Sequence, residues 1–397
     1  MWPLTPDASG PDASRFAPER AFTIGAMRIV VLGGYGQFGG RISRSLARDD
    51  GVEILVAGRD PARAQAFIAA SGNRARNMRA LELDLTAEKF KERLQAVRPQ
   101  LVIHAAGPFQ HQDYAVAAAA LACGAHYIDL ADGRAFVSGI GALDALARWH
   151  ECWAISGASS VPGLSAAVIA AYRPRFDTLD TIEIGISPGN RAPRGLATTT
   201  AILSYVGHPY RCLIDGAWRD VHGWQSLRRI AHPAIGARWL ARCEVPDVGL
   251  LPHRYRQLTT CDFRAGLELH RMHFGLWLAS WLVRARLLHS LVPWAKPLLS
   301  LSERWRGQGS DVGMMHVDLA GTGHDGQPLR LRWWLLARHG EGPQVPSTAA
   351  VVLARKLARG ALPGCGAVPC LDLFSLGEFL DALEGDAIET SLETLTQ

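Results

Sequence analysis

MRIVVLGGYGQFGGRISRSLARDD, residues 27–50, decides the fold. An apolar, β-branched run over 27–32 reaches Gly33-Gly34-Tyr35-Gly36-Gln37-Phe38-Gly39-Gly40 and passes directly into the helix-like ISRSLARDD. The order is therefore strand, glycine turn, helix. Gly34, Gly36 and Gly39 take the G-x-G-x-x-G positions. The first glycines let the chain turn without a Cβ, the next lets backbone N–H groups approach a pyrophosphate, and the last permits close helix–strand packing.

Strand-like and helix-like segments keep alternating downstream. VEILVA (52–57), MRALEL (78–83), LVIHAA (101–106), HYIDL (126–130) and WAIS (153–156) read as strands, with helical stretches between them. This pattern predicts a doubly wound, mostly parallel Rossmann sheet over 27–160. At the end of the second strand stands Gly58-Arg59. A guanidinium there suits the 2′-phosphate of NADP(H), where a carboxylate would repel it. Asp60 precedes Pro61 and reads as a helix N-cap. Asp84 closes the third strand, either beside the adenosine or as a cap for the helix after Thr86. Ala105, Ala106, Gly107 and Pro108 supply small residues where the chain passes ribose and nicotinamide. The expected dinucleotide-binding set is therefore Gly34, Tyr35, Gly36, Gln37, Phe38, Gly39, Gly58, Arg59, Asp84, Ala105, Ala106, Gly107 and Pro108.

Ligands of such sheets bind beyond the carboxyl ends of the strands. Proton donors are therefore sought among His104, His111, Tyr127, Asp129, Ser159 and Ser160. Asp129 leads as site organiser or acid, followed by Tyr127 and Ser160. Each has a structural alternative: a hydrogen-bonded core histidine, a packing tyrosine, a loop anchor, a serine helix cap.

The glycine turn, Gly58-Arg59, the AAGPF loop (105–109), GAHYID (124–129) and GASSVPG (157–163), taken in order, resemble the saccharopine dehydrogenase-like oxidoreductases over roughly 27–172. The resemblance implies an NADP-binding Rossmann domain, an α+β substrate domain and a homodimer. Gly33, Gly36 and Gly39 also fit the turn of short-chain dehydrogenases, but no tyrosine here has a lysine four residues on, so that chemistry is excluded.

Beyond residue 161 the pattern changes. TIEIGIS (181–187), YRCLI and AWRDV around Asp215-Gly216, LTTCDFRAGLEL (258–269), and VGMMHVDLAG with PLRLRWWLLA around His324-Asp325-Gly326-Gln327 read as strands and hairpins. They predict an α+β domain over 161–397 with a mostly antiparallel sheet, from which a C-terminal helix can pack back on the Rossmann part. Pro162 to Tyr172 reads as a helix, Ser347 as an N-cap, and Ser375-Leu376-Gly377-Glu378 as a capping box. The stretch 272–301 is rich in Trp and Leu but is interrupted by Arg284, Arg286, Pro293 and Lys296. It is too broken to span a bilayer, which leaves packed helices, an apolar lid or a membrane-surface element.

The chain has 397 residues and a formal net charge of +5, with its arginines scattered, so a nucleic-acid partner is not expected. Seven cysteines without paired spacing point to reduced thiols in the cytoplasm and no metal site. Residues 1–26 lack the basic and apolar regions of a signal peptide and read as a disordered tail. The expected function is hydride transfer to or from a C=O, C=N or C=C bond of a small, apolar substrate. The alternative is a non-catalytic NADP(H) sensor or scaffold.

Overall fold

From Ile29 to Leu32 the first strand is apolar at every position because it is covered on both faces. Ile29 and Val31 point into one core while Val30 and Leu32 point into another, and Ile54 and Val56 alternate with Leu55 and Ala57 in the same way. Successive side chains of a strand leave opposite faces, so a continuous apolar run is what a strand between two helical layers needs. The computed structural model describes residues 27–110 and 112–395; the tail expectation for 1–26 and the candidate His111 lie outside the described residues.

The strands are β1 (Met27–Leu32), β2 (Val52–Gly58), β3 (Met78–Glu82), β4 (Leu101–His104), β5 (His126–Asp129), β6 (Trp153–Ser156), β7 (Phe176–Ser187), β8 (Pro209–Ile214), β9 (Ala217–His222), β10 (Arg228–His232), β11 (Gly236–Arg242), β12 (Thr260–Ala265), β13 (Gly313–Gly323), β14 (Pro328–Ala337), β15 (Gly366–Pro369) and β16 (Ile388–Thr394). A seven-stranded sheet runs in the order β15-β6-β5-β4-β1-β2-β3. All its pairings are parallel. Strand order reverses between β4 and β1, which opens a crevice at their carboxyl ends. The fold is thus α/β with a Rossmann sheet, and the second sheet is mixed and mostly antiparallel.

That second sheet runs β10-β11-β12-β7-β13-β14-β16, with β8 attached to β12 and β9 to β8. Only β7 and β12 pair in parallel within it. Charged residues align across one of its faces: Asp262 lies opposite Glu183, Glu183 opposite Asp318, and Asp318 opposite Arg332. Arg332 donates to Asp318 at 2.7 and 2.5 Å, which pins the hairpin register, since a one-residue slip would leave the two groups on opposite faces of the sheet. The hairpin turn is closed by Gly326 in the left-handed region, with the Gln327 amide donating to Asp325.

Several local expectations are corrected. Ser347 is not an N-cap: the helix Val345–Ala358 begins two residues earlier, where Pro346 presets the first turn, and Ser347 donates to the Pro343 carbonyl. The 162–172 helix starts only at Ser165, because Val161 is extended and an irregular turn carries Pro162. The 258–269 strand shortens to Thr260–Ala265. The capping box at Ser375 and Glu378 forms as read, with both reciprocal bonds present. Two helices, His270–Arg284 and Ala295–Arg304, occupy most of the Trp- and Leu-rich stretch. Among the described residues no helix is long and apolar enough to cross a membrane.

The late chain returns to the Rossmann sheet. The helix Val345–Ala358 packs on the helix Gly39–Leu46, and Arg355 forks onto Asp49 at 2.8 and 3.0 Å. β15 then adds a seventh strand beside β6.

At the joint between the sheets Asp247 is fully buried. It accepts a hydrogen bond from Ser165, and its Oδ2 has no partner among the described residues. Burial pushes its carboxyl from the ordinary 3.8 up to about 7. A raised carboxyl favours the fold while protonated, so its contribution is complete below 3.8 and is lost as pH climbs through about 7. Unfolding stability should fall across this window by at most about 1.4 kcal/mol per pH unit for each such group. Melting curves from pH 5 to 8 should show the decline, and Asp247→Asn should flatten it. An unchanged slope would rule out this carboxyl as its source.

Candidate active site

The glycine turn is shaped by what surrounds each missing Cβ. A Cβ on Gly34 would lie 2.7 Å from the Val31 carbonyl, and one on Gly39 would lie 2.3 Å from the Gly33 carbonyl, so both positions are closed by backbone. Gly33 has a φ of +73° and sits against Ala105 and Ala106. Gly36 differs: it is exposed, and its Cβ would meet only the Gly33 carbonyl, at 3.0 Å. Among the described residues nothing accepts from the amides of Tyr35, Gln37 and Phe38. Free N–H groups at a helix N-terminus, beside a position open for close approach, fit an anionic diphosphate.

Tyr35 links this turn to the end of β2. Its ring covers Gly58, where any Cβ would lie 2.4 Å from a ring carbon, and its hydroxyl accepts from the Asp60 amide at 3.2 Å. The Asp60 carboxylate caps the helix Pro61–Ala69 by accepting from the Arg63 amide. Arg59 is exposed and carries no hydrogen bond or ion pair among the described residues. Asp84 accepts from both the amide and the hydroxyl of Thr86, and these bonds together with the nearby Arg59 charge lower its pKa. Gln37 turns its side chain away from the turn and donates to the Pro193 carbonyl at 2.8 Å, fastening the glycine loop to the second sheet's connections. Gly107 and Pro108 form the loop beyond β4, whose Ala106 and Pro108 carbonyls are held by Gln112.

The structure brings His104, Tyr127 and Asp129 together, inside the protein. All three are buried, and the Tyr127 hydroxyl lies 3.0 Å from His104 Nδ1. Burial lowers the His104 pKa to about 4 and raises the Tyr127 phenol. Asp129 Oδ1 accepts from the amides of Ala131 and Gly157 and from the Ser156 hydroxyl, at 2.8–2.9 Å. Burial nevertheless pushes its pKa up to about 6. It ties the loop after β5 to the loop after β6, which carries Ser159 and Ser160. Those two serines, unlike Tyr127 and Asp129, line the adjoining cavity.

That cavity, about 810 Å³, begins beside Gln37 and Phe38 at the carboxyl end of the Rossmann sheet and extends under the helices of the second half to the exposed Trp294 and Leu301. Asp132, Ser159 and Ser160 line it at the sheet end, Arg194, Arg271 and Asp311 line it from the second half, and much of the remaining wall is apolar, including Leu203, Leu276 and Leu298. Asp132, three residues past Asp129, is a lining carboxyl that the sequence reading omitted. It is half-buried, accepts from Gln110 at 2.9 Å, and has its pKa raised by burial. The rule that sites lie just past strand ends would have found it. Tyr205 and Cys243 line the same region, each with its proton held more tightly by burial. They come from distant segments and no local motif marks them.

Residues 29–150 match the saccharopine dehydrogenase NADP binding domain. The structure is similar to apo saccharopine dehydrogenase (L-Glu forming) from Saccharomyces cerevisiae, at 13% identity and a TM-score of 0.63, covering 94% of this chain and 100% of that one. It also aligns with an amine dehydrogenase from Mycobacterium smegmatis at 13% identity, covering 86% of this chain and 94% of that one, with a TM-score of only 0.47. No curated protein sequence matches significantly. Residues 29–150 thus carry the pattern of a saccharopine dehydrogenase NADP binding domain, and the chain as a whole shares the fold of a saccharopine dehydrogenase.

Proposed function

We propose that the chain is an NADP(H)-dependent reductase or dehydrogenase acting on a C=O, C=N or C=C bond of an apolar small molecule. One observation carries this reading: the cavity meets the glycine turn at Gln37 and Phe38, has Asp132 and Ser160 beside it, and is walled largely by apolar side chains. When bound, the cofactor supplies hydride chemistry. The diphosphate would be held by the amides of Tyr35, Gln37 and Phe38 with Gly36 allowing its approach, and Arg59 would take the 2′-phosphate. Ala105, Ala106, Gly107 and Pro108 would border the nicotinamide side, and Asp84 the adenosine side.

The protein's own work is to orient the substrate, exclude water and hold a proton at its polar end. Asp132 and Ser160 are the groups such an end would meet, and burial favours the protonated Asp132 carboxyl. Asp129 and Tyr127 act behind them by holding the loop in place. The expected homodimer needs a face other than the cavity mouth, which a partner there would close. We place the chain in the cytoplasm, which keeps thiols reduced.

NADPH oxidation across a panel of apolar aldehydes, ketones, imines and enoyl compounds tests the proposal. Asp132→Asn should lower kcat about 100-fold while leaving NADPH affinity within about twofold. Tight NADPH binding with no turnover across the panel would instead favour a sensor.

A further inference from the structure

The helix His270–Arg284 is patterned inside out. Its fully buried positions include His273 and Ser280, while Leu278, Trp281 and Leu282, close together on the helix surface, turn toward solvent. Leu278 is 61% exposed and Trp281 43%. The apolar surface continues through the following loop, where Leu287 is 73% exposed, to Trp294 at 56% and on to Leu301. A soluble surface rarely leaves so many large apolar side chains contiguous along one connected segment without a use.

Charge accompanies this surface. Residues 270–306 hold six Lys or Arg and one acid, Glu303, an excess of five that equals the formal net charge of the whole chain. Arg286, Lys296 and Arg304 are exposed beside the apolar side chains, and the Arg284 guanidinium lies 5.0 Å from the Trp281 ring centroid. Tryptophan and leucine flanked by arginine and lysine suit the interface of an anionic bilayer. A second copy of this face, meeting it about a two-fold axis, would bring two such cationic segments together.

The cavity joins the same surface. Trp294 and Leu301 are both exposed and cavity-lining, as the half-buried Leu298 between them is cavity-lining, so the apolar end of the cavity lies beneath the patch.

We propose that the face built by helices His270–Arg284 and Ala295–Arg304 docks on an anionic lipid surface, placing the mouth of the cavity against the bilayer so that a lipid-borne, long apolar substrate enters from it. The entry route rests on the oxidoreductase reading above, whereas the docking does not. The polar end of such a substrate would stop near Asp132 and Ser160 while its chain stayed among the leucines.

Purified full-length chain should co-sediment with vesicles of phosphatidylcholine and phosphatidylserine at low salt, and at least about tenfold less with phosphatidylcholine alone. Leu278→Glu with Trp281→Glu should cut binding to the mixed vesicles at least about tenfold while leaving melting temperature and NADPH affinity unchanged. Arg286→Glu with Lys296→Glu, which leaves the apolar side chains intact, should remove the preference for phosphatidylserine. Failure of the wild type to bind either vesicle would overturn the proposal. So would a wild-type dimer that the Leu278/Trp281 variant converts to monomers, since a second copy would then cover the face. Activity measured in detergent without vesicles bears only on the oxidoreductase reading, so the two failures are distinguishable.

Discussion

Gly36→Val should abolish NADPH binding and leave the protein folded. The position is exposed, its φ lies outside the left-handed region, and the only atom a new Cβ approaches is the Gly33 carbonyl. The side chain would project where the diphosphate must come close. Losing two charge-assisted amide bonds is worth about 3 kcal/mol, or at least about a hundredfold in affinity. Gly39→Val is the informative contrast. Its Cβ would sit inside van der Waals distance of the Gly33 backbone, so the helix Gly39–Leu46 would be pushed off β1 and the melting temperature should drop by several degrees or more. Fluorescence titration with NADPH, paired with thermal unfolding, separates the two effects. Retained affinity in the Gly36 variant would mean that the turn does not hold the diphosphate.

Arg59→Asp should weaken NADPH about a hundredfold and leave NADH within about threefold. The guanidinium stands at the carboxyl end of β2 with no hydrogen bond or ion pair among the described residues, so a phosphate would meet it without first breaking an internal ion pair. Exchanging it for a carboxylate removes a charge-assisted contact and adds repulsion, together on the order of 3 kcal/mol against the 2′-phosphate and nothing comparable against a hydroxyl. Asp60 cannot readily take over recognition of a ribose hydroxyl, because its Oδ1 holds the Arg63 amide. Equal losses for both cofactors would show that Arg59 does not read the phosphate.

The Rossmann half is legible because its chemistry is local. IVVL (29–32) must be apolar throughout to lie between two layers, and the glycines that follow must be glycines because backbone crowds Gly34 and Gly39. The second half is harder for identifiable reasons. β10 and β11 carry arginines at several positions, and Arg238 is buried there by bonds to Ser187 and Val312 that no local pattern announces. The helix Leu196–Tyr205 is threonine-rich, with residue types that also favour strands. β15 is the four-residue stretch Gly366–Pro369, too short for any periodicity and bounded by residues that usually end a strand. At the site, Asp129 was legible as a conspicuous carboxyl at a strand end, but its burial was not. Asp132 was within reach of the same rule, and the convergence of Tyr205 and Cys243 is a property of the tertiary structure alone.

The position of β15 has a consequence for biosynthesis. A nascent chain that has emerged only as far as β14 already contains the glycine turn and six of the strands around it, yet the outer edge of β6 is still waiting for a neighbour that lies more than two hundred residues after it in the sequence. Until that segment leaves the ribosome, the unsatisfied edge is open to other chains. Maturation of the cofactor-binding half is thereby coupled to synthesis of β15, and a product cut short before it would be marked by an adhesive border rather than by a missing catalytic group.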